Sequence, residues 1–498
     1  MIELPSGGAG LHSSHVQHND ATFWMTQDAH RKLLAVRAPT THHFPIPFDG
    51  EPRALNDNRV LTLCPLTAHN ARALRAAVPW LKPVRLGLQT SAGFGDRLGL
   101  ATVGHIRALR AARAENLAPI FAQQSIRENA RTGRTPPGVL DDATWGAFQA
   151  GWKSAVGADA DHLKTTDDLD ACVAAEYSFY TIDPGEYVNS AADRASATEL
   201  RHFVDLLPWQ ELEGTPRDLA TRYAGKTVRL ETRNLKPETD DLLRAAAKYG
   251  RALAHVAKMY RHLTSTSVEF ELEVSVDETE TPTTHVEHYY FASELKRLGV
   301  PFISLAPRYS GRFEKGVDYI GDLDAFERDL AVHAEIARCL GPYKLSLHSG
   351  SDKFSVYEIA MRQARGLVHL KTAGTSYLEA LRTVAQIEPE LLRAIYAFAR
   401  EHYAADRATY HVSAQLARAP LGDALSDADL PALLNQFDAR QILHVTYGSV
   451  LNARDATGKA RFKEEMMAFL RANEDAYAAN LEKHFVRHLK PFAANNPL

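Results

Sequence analysis

The sequence predicts an α/β protein built as a (β/α)8 TIM-type barrel with helical insertions and a helical C-terminal extension. Three observations carry that prediction: short apolar or alternating runs recur through residues 81–380, helix-spaced stretches separate most of them, and the runs number eight. Strands that alternate with helices specify a parallel sheet with helices packed on it. Eight of them favour closure into a barrel over an open sheet.

Residues 1–80 read as a mixed N-terminal segment packed on the barrel, with "THHFPIPFDGEP" as a loop punctuated by Pro and Gly. The first four runs are "PVRLGLQTS" (83–91), "LAPIFAQQS" (117–125), "VGADADHLK" (156–164) and "SFYTIDPG" (178–185). The last four are "SVEFELEVSVDE" (267–278), "VPFISLAPR" (300–308), "YKLSLHSGS" (343–351) and "GLVHLKTAG" (366–374). Helical spacing follows the first run in "LATVGHIRALRAARAEN", the fifth in "THVEHYYFASELKRLG" and the sixth in "GDLDAFERDLAVHAEIARCLG". Several such stretches begin on Thr, Ser or Asp and end on Gly or Asn, the residues that cap helices. Residues 186–265 break the rhythm with mainly helical sequence and read as an insertion that elaborates one crossover. Residues 381–498 read as helical almost to the end.

Composition narrows the function. The 498 residues are 45% hydrophobic and 24% charged, with a net charge of −4, enough for a large core and too little charge of either sign for a nucleic-acid surface. No apolar run approaches the ~18 residues of a membrane span. The start "MIELPSGGAGLHSSHVQHND" lacks the basic and apolar regions of a signal peptide, so a cytoplasmic location is expected. Cys64, Cys172 and Cys339 are widely separated and form no CxxC pair, which reads as reduced, mostly buried thiols. The expected partner is a small molecule, not nucleic acid or membrane; a homo-oligomer is left open.

Reacting groups in such a barrel lie at the C-terminal ends of strands. In the fifth run Phe270, Leu272, Val274 and Val276 share one face, and Glu271, Glu273, Ser275 and Asp277 share the other. If the apolar face packs under helices, three carboxylates enter the lumen. Unpaired buried charge costs several kcal/mol, so such a row needs cations, a metal or a shared proton. The plain alternative is an edge strand with one wet face. Counter-groups stand at other strand ends: Asp159, Asp161, His162 and Lys164; Arg308 and Arg312, with Glu314 beyond; His348, Asp352 and Lys353; His369 and Lys371. Imidazoles and carboxylates from separate strands suit a Zn, Mn, Ni or Fe ion with open positions. Singly, each histidine is more often a hydrogen-bonded structural residue than a ligand; the case is collective.

Other motifs are weaker. "GFGDRLG" (93–99) is one residue too long for a dinucleotide loop. "HVEH" (285–288) lacks the HExxH pattern and reads as helix surface, and "THH" (41–43) reads as solvated loop.

Taken in order, "TSAGFGDRLGLAT", "QQSIREN", "GADADHLKT", "YTIDPG", "EVSVDET" and "LHSGSDKF…HLKTAGTSYLEAL" resemble the tagaturonate epimerase family over residues 85–390. The resemblance implies a metal-dependent isomerase of hexuronate catabolism that interconverts D-tagaturonate and D-fructuronate, with relatives acting on tagatose and fructose. It implies a catalytic pair at Asp161 and Glu273 and a divalent ion held by His162 and His348. It also implies a third ligand after the sixth strand, where Glu314 is the best-placed acid and Asp277 and His369 are reserves. Gln124, Arg308, Arg312, Lys353 and Lys371 are the expected substrate contacts. The two sugar acids differ at the hydroxyl-bearing carbon β to the ketone, which suits retro-aldol cleavage and re-closure. The rivals are a metal-dependent sugar isomerase or aldolase on the same barrel, and a non-catalytic carbohydrate-binding protein. The metal reading requires His162 and His348 to lie within about 10 Å of each other.

Overall fold

The computed structural model describes residues 12–28, 31–114 and 116–493. The start of the N-terminal segment, residues 1–11, lies outside them. The chain first forms an antiparallel sheet of β1 (Val16–His18), β2 (Ala21–Gln27), β3 (Lys32–Pro39), β4 (Glu51–Ala54) and β5 (Arg59–Pro65), in the order β1-β2-β3-β5-β4. Alternation explains it: Ala21, Phe23 and Met25 are buried while Thr22, Trp24 and Thr26 are half-buried.

Next come β6 (Ser91–Phe94), β7 (Ala118–Ser125), β8 (Gly157–Leu163) and β9 (Phe179–Ile182). The crossover carries a small hairpin, β10 (Val228–Arg229) with β11 (Asn234–Leu235), and the long helix Thr239–Ser265. The set is completed by β12 (Glu271–Ser275), β13 (Ser304–Ala306), β14 (Lys344–Leu347) and β15 (Val368–Thr372). The eight parallel strands close as β12-β13-β14-β15-β6-β7-β8-β9. The TIM-type barrel expected from the sequence is therefore the fold.

One strand differs from expectation. The run at 83–91 is not the strand; β6 starts at its last residue, Ser91, and continues through Gly93 and Phe94. The reason is packing: a methyl at Gly93 would sit 2.8 Å from the Gln123 side chain, so this strand is built of small residues that carry no alternation signal. The misleading segment does other work. The Leu86 and Gly87 amides donate to Glu271 at 2.8 and 2.5 Å, capping the first carboxylate of β12.

Helices cover the barrel, and their starts follow the capping rules. Thr284 accepts from the Glu287 amide at 3.2 Å while Glu287 accepts from the Thr284 amide at 2.8 Å, a capping box for helix His285–Arg297. Within that helix His288 is buried, not on the surface as its sequence suggested, because its ring fills the seam against His333 and Tyr343. Among the described residues no helix is long and apolar enough to cross a membrane. Cys64 and Cys172 are buried and Cys339 is exposed.

The last helix, Glu474–Ala493, lies against helix Thr102–Ala111. Gly104 permits the approach: a methyl there would sit 2.6 Å from Leu481 Cβ and 3.1 Å from Ala478 Cα. Gly104→Ala is expected to destabilise the protein by about 1–3 kcal/mol, read as a lower denaturant midpoint at unchanged slope. His105 in the same seam donates toward Ser376 Oγ at 2.8 Å, and burial pushes its imidazole down from 6.5 to about 4. The unfolded chain therefore binds this proton first as pH falls. Stability present above pH 6.5 is lost progressively toward pH 4, on the order of 2–3 kcal/mol from this residue. Thermal melts from pH 7 to 4.5 check it: the decline should be shallower in His105→Gln, and an equal slope would refute the assignment.

Candidate active site

The lumen is charged in layers. Glu271, at the start of β12, is held by backbone amides as described. One strand-pair higher, Lys371 of β15 places its ammonium 2.8 Å from Asp159 Oδ2, 2.7 Å from Asp161 Oδ1 and 2.8 Å from Glu273 Oε1. It also donates to Thr181 Oγ1 at 2.7 Å, and Thr181 passes a hydrogen bond on to Asp159 at 3.0 Å. All of these side chains are buried. The charge row read from β12 therefore faces inward as expected, and a lysine from the opposite wall answers it.

The electrostatics follow from that crowding. Burial pushes the Asp161 carboxyl up, but the charges on His162 and Lys371 outweigh it and hold the group well below the carboxylate range. Glu273 behaves alike: burial raises it, and Lys371 and His348 bring it well below its ordinary value. Burial lowers Lys371, and Asp159, Asp161 and Glu273 more than restore it, so its pKa rises.

At the C-terminal rim two imidazoles meet, with ring centroids of His162 and His348 4.9 Å apart. In a regular strand Asp161 and His162 would face opposite sides. The β8–β9 register shifts between Ala160 and Leu163, and His162 adopts φ +54°, so the irregularity turns both side chains into the same space. His162 Nδ1 donates to Asp161 Oδ1 at 2.8 Å, and His348 Nε2 donates to Glu273 Oε1 at 2.5 Å. Each ring is thus oriented by one carboxylate. Their other nitrogens both approach Asp277: His162 Nε2 lies 3.9 Å and His348 Nδ1 3.6 Å from its Oδ1. Asp161, His162 and His348 each offer a ligand atom, and these lie within 4.8 Å of one another.

A cavity of about 380 Å³ opens over this rim, bounded by Asp277, Arg308, Arg312, Glu314, Lys315 and His348. Glu314 is not brought to the imidazole pair. Its Oε2 accepts from the Ser413 amide and hydroxyl at 2.9 and 2.6 Å and from Gln441 at 3.0 Å. Arg308 and Arg312 do line the cavity. Lys353 does not: its buried ammonium is given to the Glu314, Val317 and Ser351 carbonyls at 2.8, 2.5 and 2.9 Å. Lys371 is enclosed by its carboxylates. Gln124 points away from the lumen, accepting from Arg134 at 3.2 Å, while its neighbour Gln123 donates to Asp161 Oδ2 at 3.1 Å. The pleat sends adjacent residues of β7 to opposite faces, and the inward one is Gln123.

Several residues of the site were not singled out from the sequence. Thr181 bridges the lumen acids. Lys315 lines the mouth and donates to Ser349 Oγ at 2.9 Å. Tyr410, His411 and Ser413 wall the same cavity from the C-terminal extension, more than thirty residues beyond the last strand. Arg127 lies within the quoted "QQSIREN" stretch and was the most legible of these. Asp96 and Arg97 of the glycine-rich stretch serve structure: Asp96 accepts from the Leu98, Gly99 and Ala101 amides at 3.1, 2.8 and 2.7 Å, and Arg97 grips Glu128 at 2.7 Å.

Known proteins share both the sequence and the fold of this chain. The sequence model of the UxaE family, described as tagaturonate epimerase, matches residues 11–492. A tagaturonate/fructuronate epimerase of Thermotoga maritima is 42% identical over 479 residues, covering 96% of this chain and 95% of the relative. The crystal structure of the fructuronate-tagaturonate epimerase UxaE from Cohnella laeviribosi, in native form, superposes with a TM-score of 0.89 at 36% identity, covering 97% of this chain and 96% of that one. A glycerol complex of the same enzyme matches equally well, with a TM-score of 0.89. With the family sequence pattern running through nearly the whole length and the barrel carrying its charged rim, this chain belongs to the tagaturonate epimerase family.

Proposed function

We propose that the protein is a divalent-metal-dependent epimerase that interconverts D-tagaturonate and D-fructuronate by retro-aldol cleavage and re-closure. The observation that carries the reading is the pair of carboxylates, Asp161 and Glu273, flanking two imidazoles at the barrel rim. The donor set suits a first-row ion: two imidazoles, adjacent carboxylates and a buried Glu273 Oε2 that has no hydrogen-bond partner among the described residues. His162 and His348 would hold it. For the third position the acids at hand are Asp161, which lies within 4.8 Å of both rings, and Asp277, whose Oδ1 lies 3.6 and 3.9 Å from the ring nitrogens not bound by Asp161 and Glu273 and which Ser275 Oγ links to His348 Nδ1. Glu314 faces the mouth on other partners. When bound, such an ion acts as a Lewis acid for the ketone and the enediolate that cleavage generates.

The chain's own groups account for the rest. One carboxylate of the pair takes the proton of the β-hydroxyl as the bond between the α and β carbons breaks. This leaves an aldehyde and an enediolate inside the cavity. The aldehyde half turns, the same carbon–carbon bond re-forms on its other face, and the proton taken at cleavage passes by way of Lys371, which touches both carboxylates, to the second one and from it to the new alkoxide. No hydrogen leaves the epimerised carbon. Asp161 and Glu273 reach the reaction from different strands, β8 and β12, as attack on opposite faces requires. The walls of the cavity keep both halves together, which separates an epimerase from an aldolase. Arg308, Arg312 and Lys315 at the mouth favour the sugar acid over a neutral ketohexose through charge-assisted hydrogen bonds to its carboxylate.

Incubation with tagaturonate labelled with deuterium at the epimerised carbon tests the route: fructuronate should form with the label retained and no primary isotope effect, and label washout in water would refute retro-aldol chemistry. Thorough chelation should abolish turnover, and added zinc, nickel or manganese should restore it. Asp161→Asn and Glu273→Gln should each lower kcat by about 10²–10⁴-fold with the fold intact by circular dichroism. Lys315→Met should raise KM for the uronate roughly ten- to a hundredfold while leaving tagatose turnover unchanged. Lys371→Met strands three carboxylates and is expected to cost about 3–5 kcal/mol of stability together with activity.

A further inference from the structure

A second histidine cluster lies outside the barrel lumen, between helix His285–Arg297 and helix Leu323–Leu340. His285 Nε2 is 2.9 Å from Asp329 Oδ1, and His333 Nε2 is 3.7 Å from the same oxygen. Asp329 and His333 stand four residues apart and so project from one helix face. The three ligand atoms lie within 4.8 Å of one another. Ligands at about 2.0–2.2 Å from a tetrahedral ion sit roughly 3.3–3.5 Å from each other, so only small side-chain adjustments separate this arrangement from coordination.

A hydrogen-bonded structural cluster would leave no polar atom wanting. Here one is: the His333 side chain is 0% exposed, and its Nε2 has no hydrogen-bond partner among the described residues. The Thr283 backbone also faces that ring but gives Nε2 no hydrogen bond of acceptable geometry. Leaving such an atom unsatisfied costs about 1–3 kcal/mol. The opposite nitrogen, Nδ1, lies 2.7 Å from His288 Nδ1, and His288 Nε2 lies 2.8 Å from the Tyr343 hydroxyl. That chain is the outer support a ligating imidazole requires, fixing the ring and its tautomer. His285 and Asp329 are 33% and 23% exposed, which leaves an entrance and room for water as a fourth ligand.

We propose that His285, Asp329 and His333 form a second divalent-cation site, suited to zinc or cobalt, that is separate from the barrel rim. Its role is structural. Asp329 Oδ2 accepts from the Ser310 amide at 3.3 Å, and Thr283 Oγ1 accepts from the Arg308 amide at 3.0 Å. The ion would therefore pin the start of one barrel helix to the loop that carries Arg308 and Arg312 into the cavity mouth.

The test counts metal independently of activity. Full-length protein carrying His162→Ala and His348→Ala, which removes the rim imidazoles, is stripped with chelator and dialysed against zinc, and bound zinc is measured by mass spectrometry. One equivalent per chain is expected, falling to none when Asp329→Asn or His333→Phe is added. His285→Ala, at a half-exposed position, should weaken binding at least tenfold and guards against a variant that fails to fold. Cobalt should give a tetrahedral visible spectrum in the same background, lost in the same variants. Equal zinc content with and without these substitutions would overturn the proposal, as would no binding by the parent.

Discussion

Asp159, Asp161 and Glu273 can lie buried together inside a closed barrel because the Lys371 ammonium sits within 2.8 Å of all three. Each carboxylate alone would have to neutralise or find water. Sharing one cation leaves the layer acid-rich, and the excess negative charge is carried upward to the rim, where His162 and His348 meet it. The lysine thus supports the acids from below while the imidazoles orient them from above. Its place on β15, across the lumen from β8 and β12, makes the charge balance a property of the closed barrel.

The rim adds a backbone constraint. His162 occupies φ +54° at an irregularity in β8, a conformation uncommon among residues other than glycine. The return is that two adjacent residues serve one space. The C-terminal extension fixes the other half of the rim. Asp352, in the loop after His348, accepts from Arg440 at 2.9 Å and from His484 at 2.6 Å, and His484 also contacts Glu379 at 3.1 Å. This buried network ties the loop to helices Phe437–Val445 and Glu474–Ala493. The extension therefore shapes the site as well as covering the barrel.

Legibility differed by the kind of signal. The β12 charge row was readable because alternation at a strand end is a local pattern, and Asp161 and His348 were readable because they lie near strand ends. Gln123 was missed in favour of Gln124 because parity within "FAQQS" is set by which face meets the lumen, which the two identical residue types cannot reveal. Lys353 looked like a substrate contact because it follows a strand, yet three backbone carbonyls claim it. "HVEH" looked like surface because His333, the residue that buries His288, lies 45 positions away. The run at 83–91 alternated better than the true strand, whose small residues answer to a neighbour's side chain.

What the residues alone determined was the barrel, its helical cover and the set of groups able to do chemistry, since periodicity, capping and strand ends are written within a few positions. Only the tertiary structure decided which acids share Lys371, which ring nitrogens face Asp277, and that residues near 410 wall the cavity. Those are distances of a few ångströms between groups 210 positions apart in the case of Lys371 and Asp161. Such distances are fixed by barrel closure and by one strand irregularity, and no local pattern encodes them.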